Sequence, residues 1–156
     1  MSEAVIVATA RSPIGRAFKG SLKDVRPDDL ATQMVQAVLA KVPQLDPGEI
    51  DDLMLGCGMP GGSAGYNIAR VVAVLAGMDH LPGTTVNRYC ASSLQTTRMA
   101  MHAIKAGEGD VFVSAGVETV SQQVKGSSDG LPDSMNPVFT PSQARSEEIA
   151  TGARDW

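Results

Sequence analysis

Thr84-Thr85-Val86-Asn87-Arg88-Tyr89-Cys90-Ala91-Ser92-Ser93 reads as a strand over residues 84–89 that runs straight into Cys90. A helix takes over from Ala91 to about Ala106 and ends at Gly107 and Gly109. A strand followed at once by a helix is the repeating unit of a parallel sheet, and the flanking sequence extends it both ways. Downstream, Asp110-Val111-Phe112-Val113-Ser114-Ala115-Gly116-Val117 is a further strand. Upstream, Ile68, Val71, Val72 and Leu75 fall at the spacing of one helix face, and Gly77 closes that helix. Before it come the strand Asp52-Leu53-Met54-Leu55-Gly56-Cys57 and the loop Met59-Pro60-Gly61-Gly62-Ser63-Ala64-Gly65. Asp46-Pro47-Gly48-Glu49 supplies an N-cap, a proline at the first helical position and a capping-box glutamate, which predicts a single helical turn.

Farther upstream, Leu30, Ala31, Met34, Val35, Val38, Leu39 and Val42 share one helical face. Asp28 and Asp29 stand in its first turn and Lys41 in its last, each favourable to the helix dipole. Ala4-Val5-Ile6-Val7-Ala8-Thr9-Ala10 is a short apolar, β-branched run that reads as a buried strand, and Pro13, Gly15, Gly20 and Pro27 mark the loop after it. The order β-α-β-α-β-α-β predicts an α/β fold: a mostly parallel sheet covered by helices, with right-handed crossovers. From about Ser121 the pattern fails. Gly126, Ser127, Ser128, Gly130, Pro132, Pro137 and Pro141 crowd the segment, and only residues 142–151 suit another helix. A globular domain rarely ends on a structureless tail of this size. The expectation is therefore a domain over residues 1–121, a largely irregular segment over 122–156, and a chain cut from a larger design.

Composition narrows the function. The 156 residues are enough for one domain with a sizeable core, and 43% hydrophobic with 19% charged residues is ordinary for a globular protein. Aromatics are only 4%, so the core is built from aliphatic residues and methionine. A net charge of -4 without a block of Lys and Arg argues against a nucleic-acid partner. No apolar run approaches the roughly 20 residues needed to cross a bilayer, and the N-terminus lacks a basic-then-apolar leader, so no membrane partner is expected. The two cysteines, Cys57 and Cys90, form neither a metal-ligand cluster nor a disulfide framework, so no metal is expected and a reducing cytoplasm is the simplest compartment.

The chemistry concentrates at Cys90. A helix N-terminus presents unpaired N–H groups and partial positive charge, both of which favour a thiolate. The same N–H groups, that of Cys90 included, can hydrogen-bond an oxyanion forming on a thioester at that sulfur. A sharp strand-to-helix turn also exposes the side chain at the carboxyl edge of the sheet, where α/β folds place ligands. Ala91, Ser92 and Ser93 are small enough to let an acyl group approach. The bland alternative is a buried structural cysteine, a description that suits Cys57, which has no helix starting at it. His80 lies in a turn and His102 on the Cys90 helix, and neither is placed near the thiol, so both read as surface or capping residues. Glu118 receives no role.

Val86-Asn87-Arg88-Tyr89-Cys90-Ala91-Ser92-Ser93 resembles the nucleophile motif of thiolases, V-N-x-x-C-x-S-G or S. Ala8-Thr9-Ala10-Arg11-Ser12-Pro13-Ile14-Gly15 resembles the family's opening strand and loop, and Asn67-Ile68-Ala69-Arg70 its N-x-A-R. Ala106-Gly107-Glu108-Gly109-Asp110 with Ser114-Ala115-Gly116-Val117-Glu118-Thr119-Val120-Ser121 resembles its A-G-x-x-D…G-G-x-E-x-M-S segment. These matches stand in the family's order and cover nearly all of residues 4–121. The resemblance implies the N-terminal half of the thiolase fold, with Cys90 as the acyl-thioester nucleophile. It implies acyl transfer between 3-ketoacyl-CoA or acyl-CoA and coenzyme A, with coenzyme A as substrate and no permanently bound cofactor. It also implies a homodimer or homotetramer. Val117 and Val120, where thiolases commonly carry methionine, look more like degradative members handling larger acyl groups.

In thiolases the acid and base are a histidine of G-H-P and a second cysteine of C-x-G-G-G, helped by an asparagine of N-E-A-F. None of these motifs occurs in this sequence. All belong to the family's C-terminal half, as does the strand that completes the first sheet. The resemblance therefore implies an exposed sheet edge, marginal stability or association of the isolated chain, and a complementary C-terminal thiolase half as a further partner. Two rivals stand beside this reading: another condensing enzyme of the superfamily, such as a ketoacyl synthase, and a catalytically incomplete fragment acting only as a dimerising partner.

Overall fold

A computed structural model describes residues 3–122 and 137–153. The chain falls into two compact units, Met1–Gln123 and Val124–Trp156. The first unit runs α1 (Pro27–Leu39), β1 (Asp52–Gly56), α2 (Ile68–Leu75), β2 (Gly83–Val86), α3 (Ser92–Ala106) and β3 (Phe112–Gly116). The three strands form one parallel sheet in the order β2-β1-β3. In register, Leu53 stands opposite Gly83 and Val113, and Gly56 opposite Val86 and Gly116. The α/β fold and the parallel sheet thus stand as the sequence leads one to expect.

The alternation along the strands sorts the helices onto two faces. Leu53, Leu55 and Cys57 of the β1 region and Val113 of β3 belong to one apolar cluster with Ala31 and Val35 of α1 and Ile68, Ala69, Val72 and Ala73 of α2. Leu53, Leu55, Ile68 and Val72 are fully buried there. Residues one step out of phase, Gly56, Ser114 and Gly116, meet α3 instead. One face is therefore covered by aliphatic side chains and the other by a helix laid on glycine and hydroxyl groups.

Local chemistry explains the element ends. Pro27 opens α1, with Asp28 and Asp29 in its first turn. Asp28 is buried, and Arg26 donates to its two oxygens at 3.0 and 2.6 Å. Burial pushes that carboxyl up, but the Arg26 contacts and the Asp29 N–H outweigh it and hold the group below its ordinary value. Asp46 caps a 3-10 turn over Pro47–Glu49 by accepting the Gly48 N–H. In the N-x-A-R stretch, Asn67 caps α2 and also ties it to β2: its Oδ1 accepts the Thr85 hydroxyl at 2.7 Å and its Nδ2 donates to the Gly83 carbonyl at 2.6 Å. Gly107 ends α3 in the left-handed conformation at φ 77°.

Several expectations need correction. Residues 4–10 carry no ladder pairing, and Val5, Ile6 and Val7 are 70–77% exposed. An apolar β-branched run favours extended backbone, but a strand exists only where a neighbour satisfies its N–H and C=O groups. Among the described residues no strand takes that position. α1 stops at Leu39, so Lys41 lies past its last turn and donates instead to the Thr9 carbonyl at 2.6 Å. Leu75, placed on the apolar face of α2, is about half exposed. In the second unit α4 spans Thr140–Ala150 after a 3-10 turn at Pro137–Phe139. Of the largely irregular segment expected over 122–156, residues 123–136 and 154–156 lie outside the described residues. Among the described residues no helix is long and apolar enough to cross a membrane.

Candidate active site

β2 ends at Val86, and the chain takes five residues to become α3. Asn87 starts the turn by accepting the Tyr89 N–H on its side-chain oxygen at 2.9 Å. Ser92 closes it. Its hydroxyl accepts the Arg88 N–H at 2.8 Å and donates to the Tyr89 carbonyl at 2.6 Å. Between them Tyr89–Ala91 forms a 3-10 turn with Tyr89 at φ 46°. A tyrosine in that region costs about 1–2 kcal/mol and persists only where surrounding structure holds it. Cys90 sits at the middle of this turn, exposed and free, at the carboxyl end of the parallel sheet.

The turn rests on glycine. A Cβ placed on Gly56 would stand 2.5 Å from the Ser92 carbonyl carbon and the Ser93 nitrogen, and one on Gly116 would stand 2.6 Å from the Ser93 Cβ. The first residues of α3 thus lie directly on the ends of β1 and β3. Hydroxyl groups fasten the next turn of the helix: the Thr96 and Thr97 hydroxyls each lie 2.9 Å from the Ser114 Oγ. Arg88 is anchored to Gln95 Oε1 at 2.8 Å.

One amide of the turn stands apart from the others. The Ala91 N–H donates to the Arg88 carbonyl and the Ser92 N–H to the Tyr89 carbonyl. The Cys90 N–H has no acceptor among the described residues. An uncommitted amide beside an exposed thiol is what an oxyanion on an acylated sulfur requires.

The second cysteine has the opposite character. Cys57 is 1% exposed, with its sulfur 3.9 Å from Glu118 Oε1. Burial, and after it the negative charge of Glu118, push its thiol up to about 11. His80 places its Nε2 3.2 Å from the Pro47 carbonyl. Both residues precede their strands, so His80 stands at the amino end of the sheet while Cys90 stands at the carboxyl end. His102 is exposed and lies about 15 Å along α3 from its start. The structure therefore brings neither histidine to Cys90. What sequence reasoning missed is the support around the thiol: Gly56 and Gly116 passed as ordinary strand residues, and Glu118 was given no role. Their spacing carries no local signal, because each acts on a segment distant in sequence.

A family model described as "Thiolase, N-terminal domain" matches residues 4–143. The chain is 39% identical to a 3-ketoacyl-CoA thiolase of Aeromonas hydrophila over 97% of its own length and 38% of that protein's. It is 46% identical to a 3-ketoacyl-CoA thiolase of Bacillus subtilis over 78% of its length and 31% of that protein's. It is 44% identical to a 3-oxoadipyl-CoA/3-oxo-5,6-dehydrosuberyl-CoA thiolase of Escherichia coli over 78% of its length and 30% of that protein's. The chain thus spans about a third of the length of these curated relatives.

Proposed function

Because the chain belongs to the thiolase family, matching its N-terminal domain, we propose that it carries the acyl-accepting side of a degradative 3-ketoacyl-CoA thiolase, with Cys90 as the nucleophile. One observation carries this reading: Cys90 is an exposed thiol in a strained turn at the start of α3, with its own N–H taken by no acceptor among the described residues. The names of the relatives and the valines at 117 and 120 support the degradative direction.

In the proposed reaction the Cys90 sulfur, its proton passed to a base, attacks the 3-keto carbon of a 3-ketoacyl-CoA. The Cys90 N–H steadies the oxyanion. The bond between carbons 2 and 3 breaks, an acid protonates the departing carbanion to give acetyl-CoA, and the acyl group remains on sulfur as a thioester. Coenzyme A then attacks that thioester, releasing a shortened acyl-CoA and returning the thiol. Dividing one carbon–carbon cleavage into two substitutions is the benefit of the covalent route. Coenzyme A is substrate throughout, and no resident cofactor takes part.

The base and the acid are not supplied by His80 or His102. The proposal therefore includes a partner providing the histidine and second cysteine of the family's C-terminal half. It also includes self-association of the chain as a homodimer or homotetramer, supported by the outer edge of β2, which no other strand among the described residues pairs. A cytoplasmic setting belongs to the same proposal, since an exposed nucleophilic thiol needs a reducing compartment.

The test is incubation of the purified chain with acetyl-CoA and longer acyl-CoAs, followed by intact mass measurement, with Cys90→Ala as control. An acyl adduct that disappears in the variant supports the nucleophile assignment. A folded chain that takes up no acyl group would favour the alternative of a dimerising fragment with no chemistry of its own.

A further inference from the structure

The acyl transfer proposed above leaves one sequence motif without a task, the segment directly after β3. Glu118, Ser121 and Gln122 there hold three loops that are far away in sequence. The Glu118 carboxylate accepts the Gly58 N–H at 2.9 Å through Oε2 and the Met59 N–H at 3.2 Å through Oε1. Ser121 Oγ accepts the Phe18 N–H at 2.9 Å. Gln122 accepts the Ser63 hydroxyl at 3.2 Å and donates to the Val25 carbonyl. The loop from 57 to 59, the loop near 63 and the stretch from 18 to 25 are thereby gathered at the carboxyl edge of the sheet, where Cys90 stands.

The Glu118 contact reaches furthest toward the thiol. A Cβ on Gly58 would stand 3.1 Å from both the Cα and the carbonyl carbon of Tyr89, and 3.0 Å from Glu118 Oε2. Gly58 is wedged between the carboxylate and Tyr89. The Tyr89 carbonyl carbon belongs to the same planar peptide group as the Cys90 nitrogen. Glu118 thus bears on the Cys90 amide through a single glycine, and it does so next to the residue whose φ of 46° needs external support.

We propose that Glu118 is a positioning residue for Cys90: by fixing the Gly58 and Met59 amides it seats Gly58 against the Tyr89–Cys90 peptide and holds the turn that presents thiol and N–H together. A carboxylate suits this task because its two oxygens take two N–H groups at once in charge-assisted bonds. Its charge works in the other direction. A negative group beside a thiol disfavours the thiolate, so any benefit to Cys90 comes through geometry. The functional consequence rests on the nucleophile reading, whereas the structural coupling does not.

Hydrogen exchange on the full 156-residue chain tests the coupling without reference to catalysis. In Glu118→Ala, amides in the 57–59 segment and the bonded amides of Tyr89, Ala91 and Ser92 should lose protection by about tenfold, while β1 and β3 keep theirs. Glu118→Gln, which retains one acceptor oxygen, should fall between. Opening of 57–59 with the Cys90 turn unchanged would overturn the proposal, as would equal loss across the whole sheet in both variants. Parallel rates of Cys90 alkylation by iodoacetamide and acylation by acetyl-CoA add the functional arm. Acylation should fall about tenfold more than alkylation in Glu118→Ala, because only acylation needs the N–H in place. A rise in both rates would mean that the carboxylate acts by charge alone and would also overturn the proposal. A wild-type chain that alkylates but never acylates would sink the acyl-transfer reading, and the exchange result would still decide the role of Glu118.

Discussion

Cys57 and Cys90 follow adjacent strands yet occupy opposite surroundings, and the contrast leads to measurable differences. Cys57 is buried with its thiol pushed up to about 11, while Cys90 is exposed. Iodoacetamide near neutral pH should therefore label Cys90 and leave Cys57 untouched in the folded chain, as peptide mapping would read; equal labelling would contradict the burial. The raised Cys57 value also ties stability to pH. The folded state favours the protonated thiol more than the unfolded state does, so this contribution is complete below the ordinary value of 9.0 and is lost as pH rises through about 11. Its full extent is about 2–3 kcal/mol. The urea midpoint of the wild type should fall more steeply over that window than that of Cys57→Ala. The inert character of Cys57 was legible in the sequence, because no helix starts at it. The work of Glu118 was not, since its Gly58 partner lies 60 positions away.

Among the elements, α3 is held differently from the others. α1 and α2 pack by aliphatic side chains, and their periodicity announced them. α3 buries Ser92, Thr96 and Ala103, leaves Leu94 72% exposed, and lies on glycines rather than on a groove of large residues. Its docking face has no apolar rhythm to read, which is why its start could be located in the sequence but its seating could not. Gly56→Ala tests the seating. The added methyl meets backbone atoms at 2.5 Å that have no rotamer to escape into, so the cost should reach about 2–4 kcal/mol. Gly62→Ala is a useful contrast: the space there is open, but the backbone is strained at φ 54°, and the cost should stay near ~1 kcal/mol. Denaturant midpoints compare the two. A Gly56→Ala chain as stable as the wild type would refute the close approach.

On the scale of the whole chain, the described sheet has two free outer edges, on β2 and on β3, and the apolar stretch over 4–10 pairs with no strand among the described residues. Unpaired backbone next to Val5, Ile6 and Val7, all largely exposed, invites pairing with another chain. Sedimentation velocity should accordingly show association that grows with concentration, and Ile6→Lys should weaken it. A wild-type chain that stays monomeric at all accessible concentrations would contradict this. The strand expected over 4–10 illustrates what sequence can carry at this scale: the local preference for extended backbone was readable, but the neighbour that turns extended backbone into a strand is a property of the assembly.

The placement of β1 between β2 and β3 also has a temporal side. β1, α2 and β2 are consecutive in the chain, so that unit can nucleate through short loops. β3 joins only after a long closure, marked by the Val111 N–H reaching Asp51 across 60 positions, and such closures come late because their entropy is lost before any contact compensates it. Ser114, Gly116 and Glu118 all arrive with β3. A chain in which β3 has not yet closed should therefore lack these supports around Cys90, and the setting that would make it an acyl acceptor should be completed late in folding.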